Sequence, residues 1–261
     1  MTADSSVDLT VRERVGIVTL DRPDALNAIS GAIADELAEA LRSLSADEGV
    51  WAVVLTASGD KAFCVGADLK ERASFTLADY HANRRQMRAL FAAARALPQP
   101  SIAAVFGYTF GGGLELALSC DLIVAAQSTQ MGLPEARVGL IPAGGGTQLL
   151  ARRIGIGAAK ELVFTGAHVG VQDAFRMGLA DRVVADEELR AAALGLARDV
   201  CGSSPVAVRA AKQAIDASQG TPLSRGLDVE QAAWSVVVSS EDRAEGITAF
   251  NQKRVPRWRN R

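Results

Sequence analysis

Short apolar runs closed by turns recur through the first two thirds of the chain, separated by longer segments of helical period. Val7 to Arg14 alternates apolar and polar positions and Val15 to Leu20 follows, which predicts a pair of N-terminal strands before a turn at Asp21-Arg-Pro-Asp24. Ile33, Leu37, Ala40, Leu41 and Leu44 share one face of a helix predicted from Gly31 to Leu44, with Asp35, Glu36 and Glu39 set against Arg42 outside. Trp51 to Thr56 reads as a buried strand and Ala62 to Val65 as a shorter one, from which Gly66-Ala-Asp-Leu-Lys70 breaks away. A helix from Leu77 to Leu97 is stopped by Pro98 and Pro100, and strands are predicted at Ser101 to Val105 and Asp121 to Ala126. Gln130 to Gly139 is short and irregular. Helices are predicted through Leu149 to Ile154, Gly157 to Thr165 and Val171 to Met177, then a minor strand at Arg182 to Val184. From Glu187 onward every long segment is helical. Strand, loop and helix in repeated order make this a mixed α/β chain.

Two stretches carry chemistry. In Gly107 to Asp121, three consecutive glycines open an apolar run in which Glu115 is the only ionisable side chain among Leu114, Leu116, Ala117 and Leu118. Glycines let backbone approach a ligand closely, and the first amides of a helix lack partners. A buried Glu115 would have a raised pKa suited to proton transfer, although these residues alone leave a structural ion pair equally open. The second stretch, Phe63-Cys-Val-Gly-Ala-Asp68, also follows a predicted buried strand. If both loops reach one sheet edge, the amides of Ala67 and Gly112 converge on a developing oxyanion. Glu135, in Met131-Gly-Leu-Pro-Glu135, is a second isolated carboxylate; alone it reads as a loop-surface residue, beside Glu115 as half of an acid/base pair.

Other chemistries fit poorly. Neither Gly111-Gly-Gly-Leu nor Gly144-Gly-Gly-Thr ends in the Gly-Lys-Ser/Thr of a phosphate loop, and Gly155-Ile-Gly-Ala-Ala-Lys160 places a lysine where a dinucleotide loop needs a small residue. Ser101 and Ser119 lack a hydrolase nucleophile context. Cys64, Cys120, Cys201, His81 and His168 form no zinc or Cys/His pattern, so no metal is expected. Composition, 49% hydrophobic and 22% charged over 261 residues, is that of an ordinary globular chain, and a net charge of −2 gives no footprint for nucleic acid. The polar, acidic residues from Met1 to Asp8 contain no leader pattern, and no apolar run approaches the roughly 18 residues of a membrane span. A cytoplasmic protein without membrane attachment is expected.

Four segments, Phe63-Cys-Val-Gly-Ala-Asp-Leu-Lys70, Gly111-Gly-Gly-Leu-Glu-Leu-Ala-Leu-Ser-Cys-Asp121, Met131-Gly-Leu-Pro-Glu135 and Ile141-Pro-Ala-Gly-Gly-Gly-Thr-Gln148, resemble the enoyl-CoA hydratase (crotonase) family in order and spacing. The resemblance runs from Arg22-Pro-Asp-Ala-Leu-Asn27 to Glu245-Gly-Ile-Thr-Ala-Phe-Asn-Gln-Lys-Arg254. It implies a spiral of β-β-α turns over residues 1–200 and a C-terminal helical region, 201–261, that packs trimers or dimers of trimers. It implies reversible syn hydration of a 2-enoyl-CoA, with Glu115 and Glu135 catalytic and the Ala67 and Gly112 amides on the thioester oxygen. Coenzyme A is then part of the substrate and no separate cofactor is expected. The resemblance places it near Arg22, Ala25, Leu26, Ala67, Asp68, Leu69 and Lys70, with Phe250 and Lys253 as further contacts. Val65, Phe110 and Ala143 depart from the family pattern, and Phe110 and Ala143 are expected at the acyl pocket. Double-bond isomerisation is the alternative reaction. Leu69-Lys-Glu-Arg72 and Ala158 to Phe164 are also similar to the AU-rich-RNA-binding methylglutaconyl-CoA hydratase, but the acidic first helix argues against RNA binding. Arg84, Arg85 and Arg88 read as a solvated helix face rather than a site for an acidic acyl group.

Overall fold

The computed structural model describes residues 6–261, so the leader reading falls largely on residues outside the description. Strand β1 (Val7–Arg12) pairs antiparallel with β2 (Val15–Leu20), Arg12 opposite Val15. The alternation expected to reach Arg14 stops at Arg12 because Glu13 and Arg14 take φ of 49° and 70°. Positive φ at both central positions gives a two-residue hairpin turn whose twist matches the strands.

Eight further strands follow: β3 (Ala52–Ala57), β4 (Ala62–Cys64), β5 (Ser101–Val105), β6 (Tyr108–Phe110), β7 (Leu122–Ala126), β8 (Gln130–Gly132), β9 (His168–Gly170) and β10 (Arg182–Val184). They form two sheets. The larger has the order β1-β2-β3-β5-β7-β10 and is parallel from β2 onward; the smaller has the order β4-β6-β8-β9, with only β9 antiparallel. The chain visits the large sheet, the small sheet and then a helical segment, and repeats this cycle from β3, β5 and β7. This is the expected spiral of β-β-α turns.

The central strands β2, β3, β5 and β7 are buried on both faces, which is why they read as unbroken apolar runs, whereas the edge strand β1 alternates and is mostly exposed. Val18, Leu20, Val53, Leu55, Ala103, Val105, Ile123 and Ala125 pack toward the small sheet and the helices around it. The alternate residues Val15, Ile17, Ala52, Val54, Ile102, Ala104, Val124 and Ala126 pack with Leu189, Ala193 and Ala197 on the opposite side.

Among the helices, α1 (Gly31–Ala46) is capped by Ser30, whose side chain accepts from the Ile33 amide. Helix α2 (Leu69–Arg72) is a single turn, and α3 (Leu77–Arg95) starts at a Thr76/Asp79 capping box. Pro98 bars helical backbone at Leu97, and α3 stops at Arg95 rather than Leu97. Next come α4 (Gly112–Leu118), α5 (Gly146–Ile154), α6 (Ile156–Thr165), α7 (Val171–Arg176) and α8 (Leu189–Cys201). Residue 200 lies in the last turn of α8, and Gly202-Ser-Ser204 leads to α9 (Pro205–Ala217), α10 (Leu223–Val238) and α11 (Glu241–Asn251). Helix α10 buries none of its residues within the chain, and Leu223, Leu227, Trp234 and Val236 are exposed on it. No helix among the described residues is long and apolar enough to cross a membrane.

Candidate active site

Strands β4, β6 and β8 run parallel, so their C-terminal ends open at one edge of the small sheet. Such an edge is where α/β proteins place ligands. It receives Val65-Gly-Ala67 from β4, Gly111-Gly112 from β6 and Leu133-Pro-Glu135 from β8. Three-residue strands thus gather pieces that lie 20 or more residues apart in sequence.

The approach of the first two loops depends on glycine. Gly66 has φ of +92°, and a Cβ on it would lie 2.8 Å from the Gly112 nitrogen. The amides of Ala67 and Gly112 find no acceptor among the described residues, and a Cβ on Gly112 would sit 3.7 Å from the Ala67 nitrogen. Two unused donors therefore stand side by side at the sheet edge, as an oxyanion site requires.

A buried asparagine steadies this arrangement from behind. Asn27, at φ 55° and 1% exposed, donates from Nδ2 to the carbonyls of Ser58 and Ala62, at 3.0 and 2.8 Å, and accepts from the Arg22 amide at 2.9 Å. It ties the Arg22 turn to the start of β4, while the Leu26 carbonyl accepts from the Val65 amide and Ile29 bridges Gly66 and Asp68. Asn27→Ala is expected to lower unfolding stability by about 2–4 kcal/mol, from three lost hydrogen bonds and a left-handed backbone that alanine disfavours. Equilibrium urea unfolding checks this; a change below about 0.5 kcal/mol would remove Asn27 from that role.

Glu115 is 3% exposed in the first turn of α4. Its Oε1 accepts from the amides of Gly144 and Gly146, at 2.6 and 2.8 Å. Burial raises its pKa and these amides oppose that rise, favouring the ionised form. Glu135 sits on a 3-10 turn, Pro134–Val138, that follows β8, where the sequence suggested irregular chain. Its Oε2 is buried without a hydrogen-bond partner among the described residues. Burial, reinforced by the charge of Glu115, pushes the Glu135 carboxyl up to about 7. Burial thus lifts both carboxyls of the site above the usual carboxylate range, with amide donors opposing the rise at Glu115 and none meeting Oε2 of Glu135 among the described residues.

Both carboxylates and both amides face a cavity of about 320 Å³, with Val65, Leu69, Met87, Phe91, Val138, Leu140 and Ile141 among its apolar walls. Ala143 lines it as expected; Phe110 does not. The Phe110 ring stacks on His168, with centroids 3.9 Å apart, and on Tyr108 at 5.3 Å. Residues 108 and 110 share one face of β6, and buried Thr109 takes the other. Of the residues expected around coenzyme A, Ala67 and Leu69 line the cavity. Arg22 and Asp68 form a 2.7 Å ion pair, and Asp68 also caps α2 through the amides of Lys70 and Glu71. Ala25 and Leu26 lie in the turn beneath the Val65 loop, and Lys70 is exposed on α2. Phe250, 84% exposed, and Lys253 lie at the end of α11 and do not reach the cavity. Not foreseen from sequence are the Gly144 and Gly146 donors to Glu115, and three polar wall residues, Arg72, Tyr80 and Arg137; Arg84, read as part of a solvated helix face, lines the wall as well. No group of His, Cys, Asp and Glu among the described residues could hold a metal ion.

Paired amide donors beside two buried carboxyls form an arrangement able to hold an oxyanion and to exchange protons with a molecule in the cavity. Residues 10–261 match the sequence model of the family described as enoyl-CoA hydratase/isomerase, and the chain belongs to that family. A mouse protein named enoyl-CoA hydratase domain-containing protein 2, mitochondrial, is 40% identical over 245 residues, covering 92% of this chain and 83% of its own. The crystal structure of an enoyl-CoA hydratase from Bacillus anthracis superposes with a TM-score of 0.96 at 38% identity, over 98% of this chain and all of that one. DspI from Pseudomonas aeruginosa gives 0.93 at 35% identity, over 99% and 100% of the two chains. The fold is the crotonase fold.

Proposed function

We propose that the protein catalyses reversible syn addition of water to a 2-enoyl-CoA thioester, giving a 3-hydroxyacyl-CoA. One observation carries the reading: the Ala67 and Gly112 amides and the Glu115 and Glu135 carboxylates all face the same cavity. The thioester oxygen lies between the two amides, which strengthen their bonds to it as it gains enolate charge. Glu115, held through Oε1 by two glycine amides, keeps Oε2 for a water molecule and takes its proton as the oxygen bonds to C3. Glu135 delivers its own proton to C2. Exchange with solvent returns a proton to Glu135 and removes one from Glu115, so the net addition is H and OH. The mechanism uses no metal or redox cofactor, and coenzyme A enters as the carrier of the acyl group.

The rim around Arg22, Ala25, Leu26 and Lys70 is assigned to the coenzyme A arm. Phe250 and Lys253 do not line the cavity of their own chain, and a second copy docked through the uncovered face of α10 is assigned to bring them to that arm.

Incubation with crotonyl-CoA is expected to remove the conjugated-enoyl absorbance and to place solvent ¹⁸O on C3 of the product. A product with a shifted double bond and no solvent oxygen would assign isomerisation instead.

A further inference from the structure

The acyl cavity contains cations that hydration does not use. Arg72, ending α2, and Arg84, in α3, both line it together with Ala67, Gly112 and Glu115. Neither forms a salt bridge among the described residues, although the charge of Glu71 acts on Arg72 and that of Arg84 on Glu115. Arg72 is half-buried and donates from Nε and Nη2 to Oδ1 of Asn83, at 3.2 and 2.8 Å; Asn83 is itself 3% exposed, so this guanidinium is held in place with Nη1 uncommitted. Arg84 makes no hydrogen bond or ion pair among the described residues. The two cations are close enough for Arg84 to disfavour the charge on Arg72, after burial the only other influence in that direction. Tyr80, on the same wall, interacts electrostatically with Arg72 and adds a hydroxyl.

The phase of α3 separates Arg84 from its neighbours. Arg84, Met87 and Phe91 stand at i, i+3 and i+7 and all line the cavity; Arg84 and Phe91 also border the adjoining depression, whereas Arg85 and Arg88 line only that depression, with Arg95. All three arginines are exposed, as the solvated-face reading expects, but Arg84 alone also borders the cavity. An apolar wall that ends in two guanidinium groups without salt-bridge partners, one of them held by Asn83, suits a short chain with an anionic end. Carboxylate is the anion whose geometry a guanidinium matches best on an acyl chain. The anion could also be a phosphate of coenzyme A. However, the charge of Arg84 acts on Glu115, whose work is at C3, while the whole pantetheine arm separates the thioester from the nearest phosphate.

We infer that Arg84 and Arg72 form a carboxylate-receiving end of the acyl cavity, making the preferred substrate a short 2-enoyl-CoA with a distal carboxylate. This rests on the hydratase reading for the word substrate, and its test separates the two. The volume, about 320 Å³, is at the small end of the roughly 300–1,000 Å³ common for ligand sites, which favours a chain of few carbons.

The test compares kcat/KM for the mono-CoA thioester of trans-2-hexenedioic acid with that for its terminal amide. The wild type is expected to favour the carboxylate by roughly 10–100-fold, the range of a charge-assisted hydrogen bond. Arg84→Gln is expected to bring that ratio close to one, and Arg88→Gln to leave it unchanged. A phosphate contact would instead lower both substrates together and leave the ratio as it was, which overturns the proposal, as does a wild-type ratio near one. Calorimetric binding of the saturated mono-CoA thioester of hexanedioic acid against hexanoyl-CoA reads the same preference without turnover. If no enoyl-CoA is hydrated, that binding ratio and its loss in Arg84→Gln still decide the carboxylate site, and only the hydratase reading fails.

Discussion

Glu135→Gln is expected to lower kcat by about 10²–10⁴-fold while leaving the binding of a saturated CoA ester nearly unchanged. Glutamine preserves the volume of the side chain but has no acidic proton to place on C2. The same substitution is expected to make the protein more stable at alkaline pH. Glu135 titrates at about 7 in the folded chain against 4.5 when unperturbed, because burial and the Glu115 charge both favour its neutral form. Between those values the folded state binds more protons than the unfolded one, so stability declines as pH rises from about 4.5 to about 7 and stays reduced above. Glutamine removes this penalty, on the order of 2–3 kcal/mol above pH 7 and close to zero near pH 4. Thermal melts of both proteins at pH 5 and pH 8 check it: the variant should gain far more at pH 8. Rates in the hydration direction should fall as Glu135 deprotonates near pH 7, and that limb should be missing from the residual activity of the variant. An unchanged kcat, or a variant less stable than wild type at pH 8, would remove Glu135 from the role of buried acid.

The parts of this site legible in the sequence are those whose physical cause is local. The runs at Val15–Leu20, Ala52–Ala57, Ser101–Val105 and Leu122–Ala126 read as strands because both their faces are buried, and an apolar residue then stands at almost every position. Glu115 and Glu135 stood out because each is an isolated charge among small or apolar neighbours. The small sheet was not visible beyond β4. Its strands β6, β8 and β9 are three residues long, contain or adjoin glycine, and gain their hydrogen bonds from one another rather than from any pattern along the chain. That omission explains the error at Phe110: without β6, the alternation that turns residues 108 and 110 away from Thr109 has no frame. The anchors of Glu115 were hidden differently. Gly144 and Gly146 lie 29 and 31 residues beyond it, and a glycine-rich loop does not announce which acceptor its amides will meet. That Arg84 also borders the cavity depends on one fact the sequence does not carry, the rotation of α3 about its axis. Met87, Leu90, Phe91 and Ala94 mark its buried stripe, and Arg84 flanks that stripe where the cavity opens.

Gly113→Ala is expected to be among the most damaging single-methyl additions in the chain, lowering kcat/KM by about 10²–10³-fold if the protein still folds. A Cβ at this position would lie 2.1 Å from the Cys64 carbonyl oxygen and 2.7 Å from its carbon. Both are backbone atoms at the end of β4, so no side-chain rotation relieves the overlap. Helix propensity acts in the opposite direction, since alanine inside a helix is better than glycine by about 1 kcal/mol. Overpacking of a rigid site costs about 1–3 kcal/mol and at times more, so the clash prevails and stability falls. Relief requires α4 to move away from β4, which separates the Gly112 amide from the Ala67 amide and draws Glu115 off the Gly144 and Gly146 donors. The control is one residue earlier. A Cβ on Gly112 would meet its nearest neighbour, the Gly66 Cα, at 3.4 Å, an ordinary contact, and Gly112→Ala should cost much less in both stability and rate. Steady-state kinetics and melting curves for the two variants side by side give the order. Equal effects, or full activity in Gly113→Ala, would show that the junction of β4 and α4 is not what holds the two amides together.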